Sequence, residues 1–507
     1  KEALRKLLKS DLAKAVFTYK KWTGVDVDPI RIPFDNPPAY LKGRARPIPM
    51  EIEKEAMASI EKFVKSGYLI KADKGNYGSA LQAVWKQDGT ARICGDYRMI
   101  NKYIPNIPVL MPDIKESIDR LRLAKYLAEF DWTTAFHQLP IDELTQERLA
   151  ITTPWGIYRP QFVPEGCTPG SALLMAYAKD IFKEYSEWLI PVHDNILIGA
   201  DTPQQLIERT KLLLEKCLQH KVQLKVKKSK IGVKAIKFFG FILDVEAKST
   251  IAIEKERIEG IQNIAFPTSR KQIQQFVGML TFISPFIPGY AHKMHQLMRM
   301  LNADFSFHER DWNGTDYKQI WEQAKIEAAK TVELYLPDRA LAWTLRTDAS
   351  AYGVGGYLTQ SMPLADLRQE DRERAIEAKL VDQFDRVEVP IAFTSKIFSN
   401  QAQKWSTTEQ ELFALVHAFK KLERLLIYKP IQVMTDHANL ITLQFGALAD
   451  TAKATRWRQW LAQFPFYVRH IPGHLNITAD FLSRHPMTTE NKTTLASVTH
   501  IMATAEK

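Results

Sequence analysis

Four carboxylates in the last third of the chain are spaced for chemistry on phosphodiesters. Asp348 closes the apolar run LAWTLRTD, Glu411 lies early in a helical stretch, Asp436 closes IQVMTD, and Asp480 falls within NITADFLSR. Hydrolysis assisted by two cations calls for such a set, because one cation activates the attacking water, the other steadies the leaving oxygen, and carboxylate oxygens hold both. A smaller set lies upstream, with Asp131 closing YLAEFD and Asp194 in the turn of WLIPVHDNILIGA. Two carboxylates at neighbouring strand ends suit attack of a hydroxyl on a nucleoside triphosphate, in which charge grows on attacking, leaving and equatorial oxygens. A single Asp is more often a turn or cap residue. The order of the six, and their places after strand-like runs, point instead to a chain that copies nucleic acid and cuts one strand of the product. Glu409 competes with Glu411, but Ser406-Thr407-Thr408-Glu409 has capping-box spacing, which assigns Glu409 to the helix start and Glu411 to the metal.

Positioning six such side chains needs several domains, and the 507-residue length provides for them. A hydrophobic content of 45% with 25% charged residues excludes disorder and fibres. No run approaches the roughly 18 apolar residues of a membrane span, and the lysine-rich, amphipathic start is unlike a secretory signal. The expectation is a cytoplasmic, non-secreted protein. A first residue of Lys rather than Met also predicts a segment of something longer. Three scattered cysteines, Cys94, Cys167 and Cys217, fit neither a disulfide framework nor a zinc site. The net charge of +11 suits a polyanionic partner. Its densest stretch, Lys221, Lys225, Lys227, Lys228, Lys230, Lys234 and Lys237, is a solvated face by default; beside a polymerase-like carboxylate pair it reads as phosphate contact.

Helical spacing at Ile52, Ala56, Ile60 and Val64 ends at Gly67. A strand-like SALQAVWKQ follows, and Asp88-Gly89 predicts a hairpin turn into ARICGDYRMIN. Asp201-Thr202-Pro203 starts an amphipathic helix with Leu206, Leu213 and Leu214 on one face. Beyond about residue 245 the pattern is helical, broken at Pro267 and between Pro285 and Gly289. A new α/β pattern opens near Leu341, and after Pro486 a Thr-rich tail carries no core signal.

The blocks RICGDYRMINKY, FDWTTAFHQLPI, TPWGIYRPQFVPEG, HDNILIGA, KFFGFIL and TSRKQIQQFVGMLTFISPFIP closely resemble, in order and spacing, the reverse transcriptases of gypsy-like LTR retrotransposons. LRTDASAYGVGGYLTQ, STTEQELFALVHA, VMTDHANL and IPGHLNITADFLSR resemble their fused ribonuclease H. The resemblance runs from about residue 40 to 485, and is specific as an ensemble of blocks. It implies an α+β and α/β multidomain chain, a right-hand polymerase followed by a ribonuclease H-like domain. Fingers and palm would occupy 1–245, a helical thumb 246–335, the ribonuclease H domain 336–485 and a tail 486–507. It implies RNA- and DNA-templated DNA synthesis, with Mg²⁺ as cofactor, two per active site, and Mn²⁺ as substitute. The implied partners are template–primer duplex, RNA/DNA hybrid and deoxynucleoside triphosphates, with no membrane; a homodimer and virus-like particles are the implied assembly and setting. From it Arg92 and Lys86 would hold the triphosphate, Phe136 would exclude a 2′-hydroxyl, Lys230 would protonate departing pyrophosphate, and His474 would help product leave the nuclease site.

Some residues depart from the family. Its Tyr-x-Asp-Asp turn stands here as Val192-His193-Asp194-Asn195, Glu165 precedes Gly166 where Phe or Gln is usual, and Met175 replaces a Gln. A carboxylate beside a triphosphate repels it unless a metal or an Arg intervenes. These departures keep a second class open, a domesticated or polymerase-impaired homologue that binds nucleic acid or serves as a structural subunit, with nuclease activity retained.

Overall fold

The computed structural model describes residues 2–17, 24–85, 89–105, 120–121, 124–238, 240–246, 250–312, 314–445, 451–473, 476, 479, 482 and 483. The chain divides into two compact units, 1–234 and 235–507. Among the described residues no helix is long and apolar enough to cross a membrane, and the three cysteines are free thiols.

The first unit holds two sheets. One has four strands, β1 (Tyr126–Trp132), β2 (Leu189–Val192), β3 (Asn195–Ala200) and β4 (Leu224–Val233), in the order β4-β1-β3-β2. In β1 the side chains of Phe130 and Trp132 are buried, so the period of two turns Glu129 and Asp131 to the opposite face. Helix α2 (Pro203–Gln219) starts where expected, the Thr202 hydroxyl accepting from the Gln205 amide at 3.1 Å, and buries Leu206, Leu213 and Leu214. The other sheet contains the hairpin of Tyr77–Trp85 and Ala91–Gly95, where Trp85 pairs with Ala91 and Gly89 has φ 77°. Asp88 and Lys86 lie outside the described residues. Helix α1 (Met50–Ser66) buries Ile52, Ala56 and Ile60 and ends at Gly67 in the left-handed region, φ 82°. Val64, expected on the same face, is 38% exposed, and in this last turn its neighbour Phe63 packs against the core instead.

The lysine run, read from the sequence as a solvated face or as phosphate contact, is largely a strand. Residues 224–233 are strand β4, antiparallel to β1, with a register shift between Lys225 and Lys230. Two of its lysines meet carboxylates within the unit, Lys228 at Asp131 and Lys230 at Glu129, and Lys234 just beyond it meets the Lys125 carbonyl and the Tyr126 ring.

In the second unit, helices Lys255–Gln262, Arg270–Ile283 and Tyr317–Ala329 gather around Trp321, whose ring lies 4.1 Å from that of Phe276. The breaks expected at 267 and at 285–289 separate them. Next comes a five-stranded sheet of β5 (Trp343–Ala349), β6 (Gly353–Pro363), β7 (Arg386–Ile397), β8 (Ile431–Thr435) and β9 (Phe466–His470), in the order β7-β6-β5-β8-β9. Strand β5 runs antiparallel to β6 and parallel to β8. Helix α3 (Thr407–Leu426) covers the sheet, burying Leu412, Leu415, Val416 and Phe419 against Leu345, Leu358 and Val433. Side chains buried to this degree contribute about 1.5–3 kcal/mol each. Between β6 and β7 the helix Gln369–Glu377, which sequence reasoning did not anticipate, is pinned by Arg368, which contacts Glu333 at 2.6 Å and Asp371 at 2.9 Å.

Among the described residues, each unit buries one histidine. His137 stacks on Tyr68 at 4.2 Å and His417 lies on α3, and burial pulls both pKa values down to about 4. The ordinary value is 6.5, so the stability gained by keeping each ring neutral is complete above pH 6.5 and is lost as pH falls toward about 4. That loss is on the order of 3 kcal/mol per histidine. The urea midpoint should therefore drop between pH 7 and pH 4.5, and by less in His137→Phe, where an apolar ring fills the same space.

Candidate active sites

The upstream site forms where β1, β3 and β4 end together. Asp131 is in register with Asn195 on β3 and with Lys225 on β4. Asp194 occupies the tight β2–β3 turn, and its carbonyl accepts from the Trp132 amide at 2.7 Å. The two carboxylates expected to hold cations therefore stand on adjacent strand ends, Asp131 partly buried and Asp194 exposed. His193 before it has φ 46°, and its amide donates to the Met175 sulfur at 3.1 Å. Met175, one of the departures from family pattern, thus touches the backbone of the turn that carries two others. The Lys228 ammonium lies 3.2 Å from Asp131 Oδ2, and the neighbouring Lys230 reaches Glu129 at 3.1 Å. Lys228 was read from the sequence only as one of seven lysines for phosphate contact; the strand paired with β1 brings it instead to Asp131.

Arg92 and Glu165 answer each other. Glu165 Oε2 accepts from Arg92 Nη2 at 2.5 Å and from Nε at 3.1 Å, and this contact raises the Arg92 pKa. The carboxylate expected to repel a triphosphate is thus neutralised by the arginine expected to bind it. Arg92 is exposed, 61%, and Glu165 partly so, 34%, so the pair is worth about 1 kcal/mol at most and can be exchanged. Phe136 packs half-buried against the core, and a methyl at Gly170 would stand 3.4 Å from its ring.

The downstream site is more enclosed. Asp348 near the end of β5, Glu411 in the first turns of α3 and Asp436 just after β8 each offer an oxygen, and the three oxygens lie within 4.8 Å of one another. Asp348 and Glu411 are buried, 5% and 4% exposed. Three hard carboxylate oxygens converging from parallel neighbours and their covering helix fit a divalent cation of the Mg²⁺ or Mn²⁺ kind. Glu411 Oε1 also accepts from the Ala349 amide at 3.3 Å. Glu409 is turned away as its spacing predicted: the Ser406 hydroxyl accepts from the Glu409 amide at 3.3 Å, and Glu409 Oε2 accepts from the Ser406 amide at 3.2 Å. Its other oxygen meets Lys453 at 3.1 Å. Asp480 and His474 lie outside the described residues. Asn476 and Ser483, which sequence reasoning passed over, touch the site: Asn476 donates to Asp436 at 3.2 Å, and the Ser483 hydroxyl donates to Asp348.

Comparison with known proteins agrees with this layout. Residues 84–243 match the family model of reverse transcriptase, RNA-dependent DNA polymerase, and residues 338–464 that of the RNase H-like domain found in reverse transcriptase. The Tf2-7 and Tf2-8 transposon polyproteins of Schizosaccharomyces pombe are 25% identical over 430 residues, which is 84% of this chain and 30% of theirs. The chain thus spans under a third of the length of these relatives. Among solved structures, the foamy viral protease-reverse transcriptase in complex with dsDNA superposes with a TM-score of 0.68 at 21% identity, covering 92% of this chain and 93% of that one. The same protein in complex with RNA/DNA hybrid gives 0.63 at 20% identity, over 96% and 62%. Fold and sites together define a right-hand polymerase followed by a ribonuclease H-like domain. The chain carries a reverse transcriptase domain followed by the ribonuclease H-like domain found in reverse transcriptases, and it resembles the gypsy-like retrotransposon proteins of that kind.

Proposed function

We propose that the chain synthesises DNA from deoxynucleoside triphosphates on RNA and DNA templates and hydrolyses the RNA strand of the resulting hybrid, with Mg²⁺ as the resident cation and Mn²⁺ as a substitute. The observation that carries this reading is the convergence of Asp348, Glu411 and Asp436 oxygens within 4.8 Å, in a chain that also sets Asp131 and Asp194 on adjacent strand ends. Bound cations would supply Lewis acidity at the reacting phosphate. The protein's own part is to hold its carboxylates in place, and in the upstream site to offer Arg92 as a planar donor to phosphate oxygens. Phe136 would close against the sugar and Lys230 would serve the departing pyrophosphate. Asp480 and His474 would complete the nuclease site, and Lys86 the triphosphate site.

Template–primer duplex and RNA/DNA hybrid are the partners that fit a net charge of +11. Fingers and palm are assigned to 1–245, thumb to 246–335 and ribonuclease H to 336–485. A homodimer within cytoplasmic virus-like particles is the assembly and setting proposed for a transposon-type polyprotein segment. The reading of a decayed binding subunit is not favoured, since Glu165, one of the residues behind it, is neutralised by Arg92.

Primer extension on an RNA template, with cleavage of a labelled hybrid in the same reaction, tests the proposal. Absence of extension with either Mg²⁺ or Mn²⁺ would remove the polymerase half. Glu165→Gln should free Arg92 for the incoming triphosphate and lower KM for deoxynucleotide by up to about fivefold, the scale of about 1 kcal/mol, with kcat changed less. A KM that does not move would take Arg92 out of the triphosphate site.

A further inference from the structure

Two uncharged side chains hold the carboxylates of the nuclease site from behind. Asn476 is fully buried, and its amide nitrogen donates both to Asp436 Oδ1 at 3.2 Å and to the Thr347 carbonyl at 3.1 Å. It thereby ties the residue after β8 to the backbone of β5, one position before Asp348. Ser483 is also fully buried; its hydroxyl donates to Asp348 Oδ2, and its carbonyl receives the Ser350 hydroxyl. The backbone is shaped to admit it. Gly355 is the register partner of Asp348, and a Cβ there would stand 2.5 Å from Leu482 Cβ and 2.8 Å from the Ser483 nitrogen. Only glycine lets the 482–483 backbone lie this close over Asp348.

We propose that Asn476 and Ser483 are positioning residues that set the orientation of Asp436 and Asp348 for cation binding, so that ion affinity at this site depends on two neutral hydrogen bonds as well as on the carboxylates. This rests on reading the three carboxylates as a cation site. Charged oxygens packed within 4.8 Å repel one another, and donors that fix each rotamer remove the freedom to splay apart before an ion arrives. Ser→Ala keeps the volume nearly unchanged and removes only the donor.

The test is Mn²⁺ binding to the full chain, followed by electron paramagnetic resonance and taken as the difference from Asp348→Asn, alongside the Mn²⁺ concentration giving half-maximal hybrid cleavage. Ser483→Ala should weaken Mn²⁺ affinity by about tenfold or more and raise the half-maximal concentration in step, with cleavage at saturating Mn²⁺ changed less. Ser483→Thr, which keeps the hydroxyl, should restore the affinity. Asn476→Ala should give the same shift through Asp436, and thermal unfolding verifies that each variant is folded. Unchanged Mn²⁺ affinity in folded Ser483→Ala or in folded Asn476→Ala overturns the proposal. A parent protein that binds no more Mn²⁺ than Asp348→Asn would instead remove the cation-site reading beneath it.

Discussion

Asp348→Asn and Glu411→Gln should each stop cleavage of the RNA strand in a hybrid while leaving primer extension intact. Either swap preserves shape and removes one unit of negative charge from a site where three oxygens converge within 4.8 Å and two of the residues are buried. Losing charge there forfeits roughly 4 kcal/mol or more of transition-state stabilisation, about a thousandfold in rate. The control lies two residues away. Glu409 caps α3 and pairs with Lys453, and although burial opposes its charge, Lys453 and the Ser406 amide hold its carboxyl below the ordinary range. Glu409→Gln should therefore cost up to about 1 kcal/mol of stability and no activity. Gel assays of hybrid cleavage read both outcomes. Loss of cleavage in Glu409→Gln with activity kept in Glu411→Gln would reverse the assignment of the two glutamates.

Removal of Asp131 or Asp194 should abolish DNA synthesis and spare the nuclease. Each alanine takes an anchor from the strand ends that Asp131, Asp194 and Asn195 share, and a drop of about a thousandfold or more in extension is expected. Asn195→Asp adds a carboxylate in register with Asp131 and should raise extension or lower the Mg²⁺ demand. Full extension by Asp131→Ala would move the polymerase site elsewhere.

Asp131, Asp194, Asp348 and Asp436 were legible because each follows an apolar run that had to become a strand, so that its own position had to lie at a strand end or in the turn after it. The capping box was legible because Ser406 and Glu409 are local partners. What escaped was non-local. Strand β4 hides in its lysines, whose long stems let charged heads reach solvent from almost any strand position, so neither face of the strand is apolar and no alternation shows. Asn476 and Ser483 lie 40 and 135 residues from the carboxylates they hold, and neither residue type announces a buried partner. Val64 followed the period of α1 into a last turn where its neighbour Phe63 packs against the core instead.

The contact between Lys228 and Asp131 changes how an ion must enter the polymerase site. The lysine stem is 59% exposed, so its ammonium can swing into water with no movement of β4. If Asp131 holds a divalent cation as proposed, loading would be an exchange of one cation for another rather than the filling of bare negative charge, with the ion threshold set jointly by the carboxylates and by a residue on the next strand. Relatives that share every ligand but differ at position 228 would differ in their appetite for divalent ions, which makes a position outside the ligand set a place where ion demand can diverge.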